Sequence, residues 1–153
     1  MTPERFLELQ FKKGIRKGYL TNAELAPQRT DALRPYLSSE ERCIVVVQDK
    51  QKRRLWFTNC RLLLQEQSNV STLFEYEAVE HVHWMFKDYF GRLRPPNPLP
   101  HEEFARTKRE HFDRLEVELK TGDASLVPLE GLDQSYLPIF QFLQFLTQPR
   151  SPS

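Results

Sequence analysis

Arg54-Leu55-Trp56-Phe57-Thr58-Asn59-Cys60-Arg61-Leu62-Leu63-Leu64 constrains the fold of this chain more than any other stretch. Two runs rich in aromatic and aliphatic residues flank Thr58-Asn59, and asparagine tolerates the left-handed backbone that a tight reversal needs. The pattern predicts a β-hairpin, with Arg61 opening its second strand. Such a hairpin is marginal alone and needs further strands beside it.

Before Arg54, Cys43-Ile44-Val45-Val46-Val47 is apolar without a break and mostly β-branched, which predicts a buried strand, and Asp49-Lys50-Gln51-Lys52 a polar turn. After the hairpin, Ser68-Asn69-Val70-Ser71 reads as a turn, followed by strands over 72–76 and 79–86. Leu115-Glu116-Val117-Glu118-Leu119-Lys120 alternates cleanly, as a half-buried strand does, and 125–129 pairs back across Thr121-Gly122-Asp123. The last element is a helix over 133–146 with Tyr136, Ile139, Phe140, Leu143 and either Phe145 or Leu146 inward. Its Pro138 is tolerated if the first turn begins at 133–135. Seven strands in hairpin order followed by a helix predict a mainly β, α+β domain over 38–148. The expected core includes Ile44, Val46, Leu55, Phe57, Leu62, Leu64, Val82, Trp84, Leu115, Val117, Leu119, Phe140 and Leu143. Strand parity is left open along the continuous apolar runs.

Residues 1–37 read as a helical extension. Thr2-Pro3-Glu4 supplies an N-cap hydroxyl, a first-turn proline and a carboxylate, and the helix runs to Lys17 before Gly18. A second helix is expected over 22–36, limited by Pro27 and Pro35. The segment 88–112 reads as an insertion: a proline-rich loop over 91–100, then a charged and partly helical stretch. Residues 149–153 read as a disordered tail.

The 153 residues suffice for one domain with an appendage, and 39% hydrophobic against 28% charged residues argues against wholesale disorder. A formal net charge of +1 argues against nucleic-acid binding through broad phosphate neutralisation. Cys43 and Cys60 make no disulfide framework. Charged residues from Glu4 to Lys13 interrupt any signal-peptide core, and no run is long enough to span a membrane, so the expected compartment is the cytoplasm.

The strand order, with Leu55-Trp56-Phe57-Thr58-Asn59-Cys60-Arg61-Leu62 in the hairpin and Ser39-Glu40-Glu41-Arg42 leading into the first strand, resembles the pleckstrin-homology-like superfold. The likeness is to bacterial pleckstrin-homology domains and the related GRAM domains, over about 39–148. It implies a seven-stranded, partly open antiparallel barrel capped by the C-terminal helix. It is nearly silent on ligand, because this superfold hosts lipid, peptide and protein–protein roles.

Four groups of residues are candidates for function. Lys50, Lys52, Arg53 and Arg54 form a basic run in which Lys50, Lys52 and Arg54 fall where inositide-binding members of the superfold grip a headgroup. That placement suggests an anionic membrane surface; the run also fits a solvated turn. Phe6, Leu9, Phe11 and Ile15 form the apolar side of the first helix, an interaction surface for the barrel, a second copy or a membrane. His81 and His83 alternate on one strand face, but neither they nor the cysteines stand at a diagnostic metal spacing, so no metal is expected. Arg92-Leu93-Arg94-Pro95-Pro96-Asn97-Pro98 matches a polyproline-ligand pattern that also occurs by chance. No nucleophile–base pair stands at motif spacing, and the five glycines are isolated, so neither a catalytic site nor a cofactor is expected. The reading is a non-catalytic binding or scaffold module engaging a protein partner or a second copy, with a peripheral membrane adaptor as the alternative.

Overall fold

In the computed structural model of the chain, residues 1–18, 20–27, 33–87, 93–94, 112–128 and 136–148 are described. Helix α1 (Pro3–Lys17) starts as its sequence requires: the Thr2 hydroxyl accepts the Arg5 amide at 3.2 Å, with proline in the first turn. It ends at Gly18, whose φ of 82° is open to glycine at no steric cost, and the Gly18 N–H closes onto the Ile15 carbonyl.

The second expected helix is not formed. Ala23–Leu25 is instead a three-residue strand, β1, paired antiparallel with β2 (Cys43–Gln48) in the register Ala23 to Val47, Glu24 to Val46 and Leu25 to Val45. Only a 3₁₀ turn over Arg34–Tyr36 is helical among the described residues of that stretch, and 28–32 lie outside them. Pairing with β2 outweighs a helical preference that Pro27 had already weakened.

The hairpin stands where the sequence places it, with β3 (Arg54–Thr58) paired to β4 (Arg61–Glu66). Asn59, however, is not left-handed; the Thr58 hydroxyl makes the turn by accepting the Cys60 and Arg61 amides at 3.2 and 3.0 Å. Strand β5 (Asn69–Glu75) begins earlier than expected, because Gln67 at φ 56° reverses the chain within two residues and lets Glu66 pair with Asn69. These strands form a five-stranded antiparallel sheet in sequence order. A second antiparallel sheet contains β6 (Val79–Lys87), β7 (Leu93–Arg94), β8 (Phe112–Leu119) and β9 (Ala124–Pro128), in the order β7-β6-β8-β9. Thus two residues of the expected proline-rich loop pair with β6. The rest of 88–111, including the polyproline-like motif apart from Leu93-Arg94, lies outside the described residues, as do the start of the last helix and the tail. Helix α2 (Tyr136–Thr147) packs on α1 and β6.

The main core lies between the sheets and both helices. Phe142 is its centre, edge-on to Tyr76 at 5.0 Å and to Phe57 at 5.9 Å. Leu7, Phe11 and Leu20 are buried in this same core, so the segment read as an extension completes it. Phe6 stacks on Phe145 at 4.3 Å. A smaller cluster of Leu33, Val46, Trp56 and Leu63 covers the opposite, outer face of the first sheet. Val46 was expected alongside Ile44, but a register shift between Cys43 and Val45 breaks the alternation. Ile44, Val45 and Val47 go to the main core and Val46 goes outward. Expected Trp84 is without a described side chain.

Candidate functional site

Strand register assembles a concave surface on the outer face of the first sheet. Because neighbouring residues across paired strands share a face, Glu24, Val46, Trp56 and Leu63 form one row. Gln48, Arg54 and Gln65 form the next, extended by Asn22, whose carbonyl accepts the Gln48 amide at 2.9 Å. Over the β1–β3 part of these rows lies an open cavity of about 550 Å³. Its floor is the buried pair Val46 and Trp56, and Asn22, Glu24, Gln48, Lys50 and Arg54 also line it.

The floor is held rigidly. Trp56 is only 2% exposed, and its indole N–H donates to Gln65 Oε1 at 2.9 Å, so a large apolar ring is fixed without an unpaired donor. The Arg54 guanidinium sits 6.0 Å from the Trp56 ring centroid, within cation–π range. Arg54 Nε also approaches Gln48 Oε1 at 3.5 Å.

Of the four basic residues expected to act together, only Lys50 and Arg54 line this cavity. Arg53 is committed to its own turn: its Nε donates to Asp49 Oδ2 at 2.7 Å, while Asp49 Oδ1 accepts the Gln51 and Arg53 amides at 2.9 Å each. Lys52 is exposed at φ 65°, the left-handed position that tightens the reversal. Among the described residues that line the cavity, Lys50 and Arg54 are the cations and Glu24 and Asp49 the acids, with Asp49 paired to Arg53.

At the other end of the hairpin, Glu41 is, besides Asp49, a second buried acid among the described residues. Arg61 grips it from two nitrogens, Nε to Oε2 at 2.8 Å and Nη2 to Oε1 at 2.9 Å. The Thr58 hydroxyl donates to Oε2 at 2.7 Å, the Cys60 thiol reaches it at 3.2 Å, and the Ser38 amide donates to Oε1 at 3.3 Å. Burial pushes the Glu41 carboxyl up, but these donors, Arg61 foremost, outweigh it and hold the group at about 2. Arg61 also donates to Thr72 Oγ1 at 2.9 Å and to the Tyr36 carbonyl. Asn59 ties the turn to the lead-in, accepting the Arg42 amide at 2.9 Å. The Tyr76 hydroxyl donates to the Thr58 carbonyl at 2.7 Å. This fully occupied network secures the hairpin that carries Arg54 and Trp56.

The apolar side of α1 is not an open surface. Phe11 is fully buried, Phe6 and Ile15 pack against the main core, and only Leu9, at 41% exposure, faces outward. Glu4 pairs with Arg42, adding a polar tie between the helix start and the lead-in to β2. His81 is exposed, and the side chain of His83 is not described. Among the described residues, no three His, Cys, Asp or Glu side chains converge as metal ligands. No helix among them is long and apolar enough to cross a membrane.

The cavity residues Asn22, Glu24, Gln48 and Trp56 were not singled out by the sequence. They stand at no motif spacing, and only the β1–β2–β3 register brings them beside Arg54. Comparison of this chain with protein-family models, with curated proteins and with solved structures finds no match.

Proposed function

We propose that this chain is a non-catalytic, pleckstrin-homology-like binding module that engages a protein partner at the outer face of its first sheet. The fold part of this reading is supported by the succession of β2 to β6, β8 and β9 in two antiparallel sheets followed by α2, with β5 adjoining β9 at one corner. The observation that carries the functional part is the Trp56-floored cavity beside the terminal strand β1. A rigid aromatic floor with amides and two cations around it is the composition of a recognition pocket.

A photo-crosslinking residue placed at Gln48 tests this in cells, with the same residue at exposed Glu77 as control. A discrete protein adduct from Gln48 alone supports the reading, and its mass distinguishes a second copy from another protein. Equal labelling from both positions, or none, refutes it.

A second reading is an anionic headgroup held by Lys50 and Arg54, since both line the cavity. Flotation with phosphatidylserine vesicles separates the two. Binding that disappears on charge reversal of Lys50 and Arg54, with no protein adduct, would establish the membrane reading instead.

A further inference from the structure

Resting on the proposed protein-binding role, we infer that the partner contributes an extended peptide that adds as a strand to the outer edge of β1 and presents an acidic side chain to Lys50 and Arg54. β1 stands last in its sheet. Its hydrogen bonds to β2 alternate: the Asn22 carbonyl accepts Gln48 N–H, and Ala26 N–H donates to the Ile44 carbonyl. That phase points the N–H and C=O of Ala23 and Leu25 away from β2. Among the described residues these outward groups make no backbone hydrogen bond, so β1 offers a short template for strand addition.

The charge pattern then selects the sequence of the guest. Ala23 and Leu25 pack their side chains on the main core, whereas Asn22 and Glu24 face the cavity. An added strand therefore continues the two rows: one guest residue lies beside Glu24 and another, two positions along, beside Asn22. A carboxylate beside Glu24 is repelled. A carboxylate beside Asn22 enters the row that contains Gln48 and Arg54, and Lys50, two residues past Gln48 in the chain, lines the same cavity. Strand spacing puts an added strand about 10 Å from β2 and about 14 Å from β3, a gap that long side chains reaching from both sides close. The guest thus reads as an acidic residue with a non-acidic residue two positions away.

Selection of random decapeptides displayed against the full chain tests this, run beside the Lys50→Glu/Arg54→Glu variant, whose changes lie on the surface. The expected result is enrichment of Asp or Glu at one fixed position for the wild type. For synthetic peptides from that pool, a Glu-to-Lys change should weaken wild-type binding at least tenfold and strengthen binding to the variant. Bound peptide should also slow amide exchange at Ala23 and Leu25. Enriched peptides that protect both amides but carry no acid would overturn the charge inference and leave the protein-binding role standing. Peptides that bind without protecting those amides would overturn strand addition. No enrichment at all, with phosphatidylserine vesicles bound by the wild type and not by the variant, would overturn both in favour of a membrane.

Discussion

Arg61→Ala is the perturbation with the largest consequence for the hairpin that carries the candidate site. Glu41 has a side chain only 2% exposed, while that of Arg61 is 20% exposed. Removing the guanidinium leaves the carboxylate with Thr58, Cys60 and the Ser38 amide but no cation, and frees Thr72 and the Tyr36 carbonyl. Breaking one side of a buried pair costs about 3–5 kcal/mol, and the partial exposure of Arg61 places this site near the lower end. The displacement of Glu41 from 4.5 to about 2 gives a figure of the same order, about 3 kcal/mol for the whole network. With a urea m-value of about 1–3 kcal/mol/M, the midpoint should fall by about 1–3 M. The acid limb gives an independent reading. Glu41 takes up its proton near 4.5 when unfolded but only near 2 when folded. Its stabilisation is therefore complete above about pH 4.5 and is lost as pH falls toward 2. Glu41→Gln should flatten that limb. An Arg61→Ala loss below about 1 kcal/mol, or an acid limb unchanged in Glu41→Gln, would refute the reasoning.

Three further outcomes follow from burial and charge. Phe142→Ala empties the centre of the main core and should cost about 3–5 kcal/mol in urea unfolding, since its ring is fully buried against Phe57 and Tyr76. Phe11→Ala should cost a similar about 3–5 kcal/mol, whereas Leu9→Ser should stay within about 0.5 kcal/mol; a neutral Phe11→Ala would mean that α1 is not part of the core. Burial and the neighbouring Glu41 carboxylate push the Cys60 thiol up, so Glu41→Gln should speed its alkylation by iodoacetamide at pH 8 by about threefold or more. Cys43, pushed up to about 12 chiefly by burial, should stay unlabelled in both proteins and so reports that they remain folded.

The parts of the fold legible in the sequence are those whose signals are local. Thr2-Pro3-Glu4 and Gly18 bracket α1, and Thr58-Asn59 places the hairpin turn, because capping and turn chemistry act over a few residues. β1 was hidden, since three residues carry no periodicity and owe their conformation to β2. The outward turn of Val46 was hidden for a related reason: an unbroken apolar run gives no sign of where a bulge falls. At the site, Lys50 and Arg54 were visible as cations. The withdrawal of Arg53 into the Asp49 turn was not, because an ion pair inside a five-residue reversal looks in sequence like one more positive charge. The amphipathic face of α1 was visible, but nothing in its pattern says that its cover is this chain's own α2 and sheets.

The double-sided burial of the first sheet has a consequence for how the chain finds its pairing. A strand with one wet face is policed by its own alternation, since sliding it by one residue drives polar groups inward. Along Ile44-Val45-Val46-Val47 and Leu62-Leu63 that policing is weak, because both faces of these strands carry buried apolar side chains. A slid strand would still put hydrocarbon against hydrocarbon. What it would lose is at the polar end, where Asn59 holds Arg42 and Arg61 holds Glu41. One step of misalignment would strand Glu41 without its cation. The buried ion pair thus works as a proofreading latch, and without it the β2–β3–β4 strands have alternative alignments of nearly equal greasiness to explore.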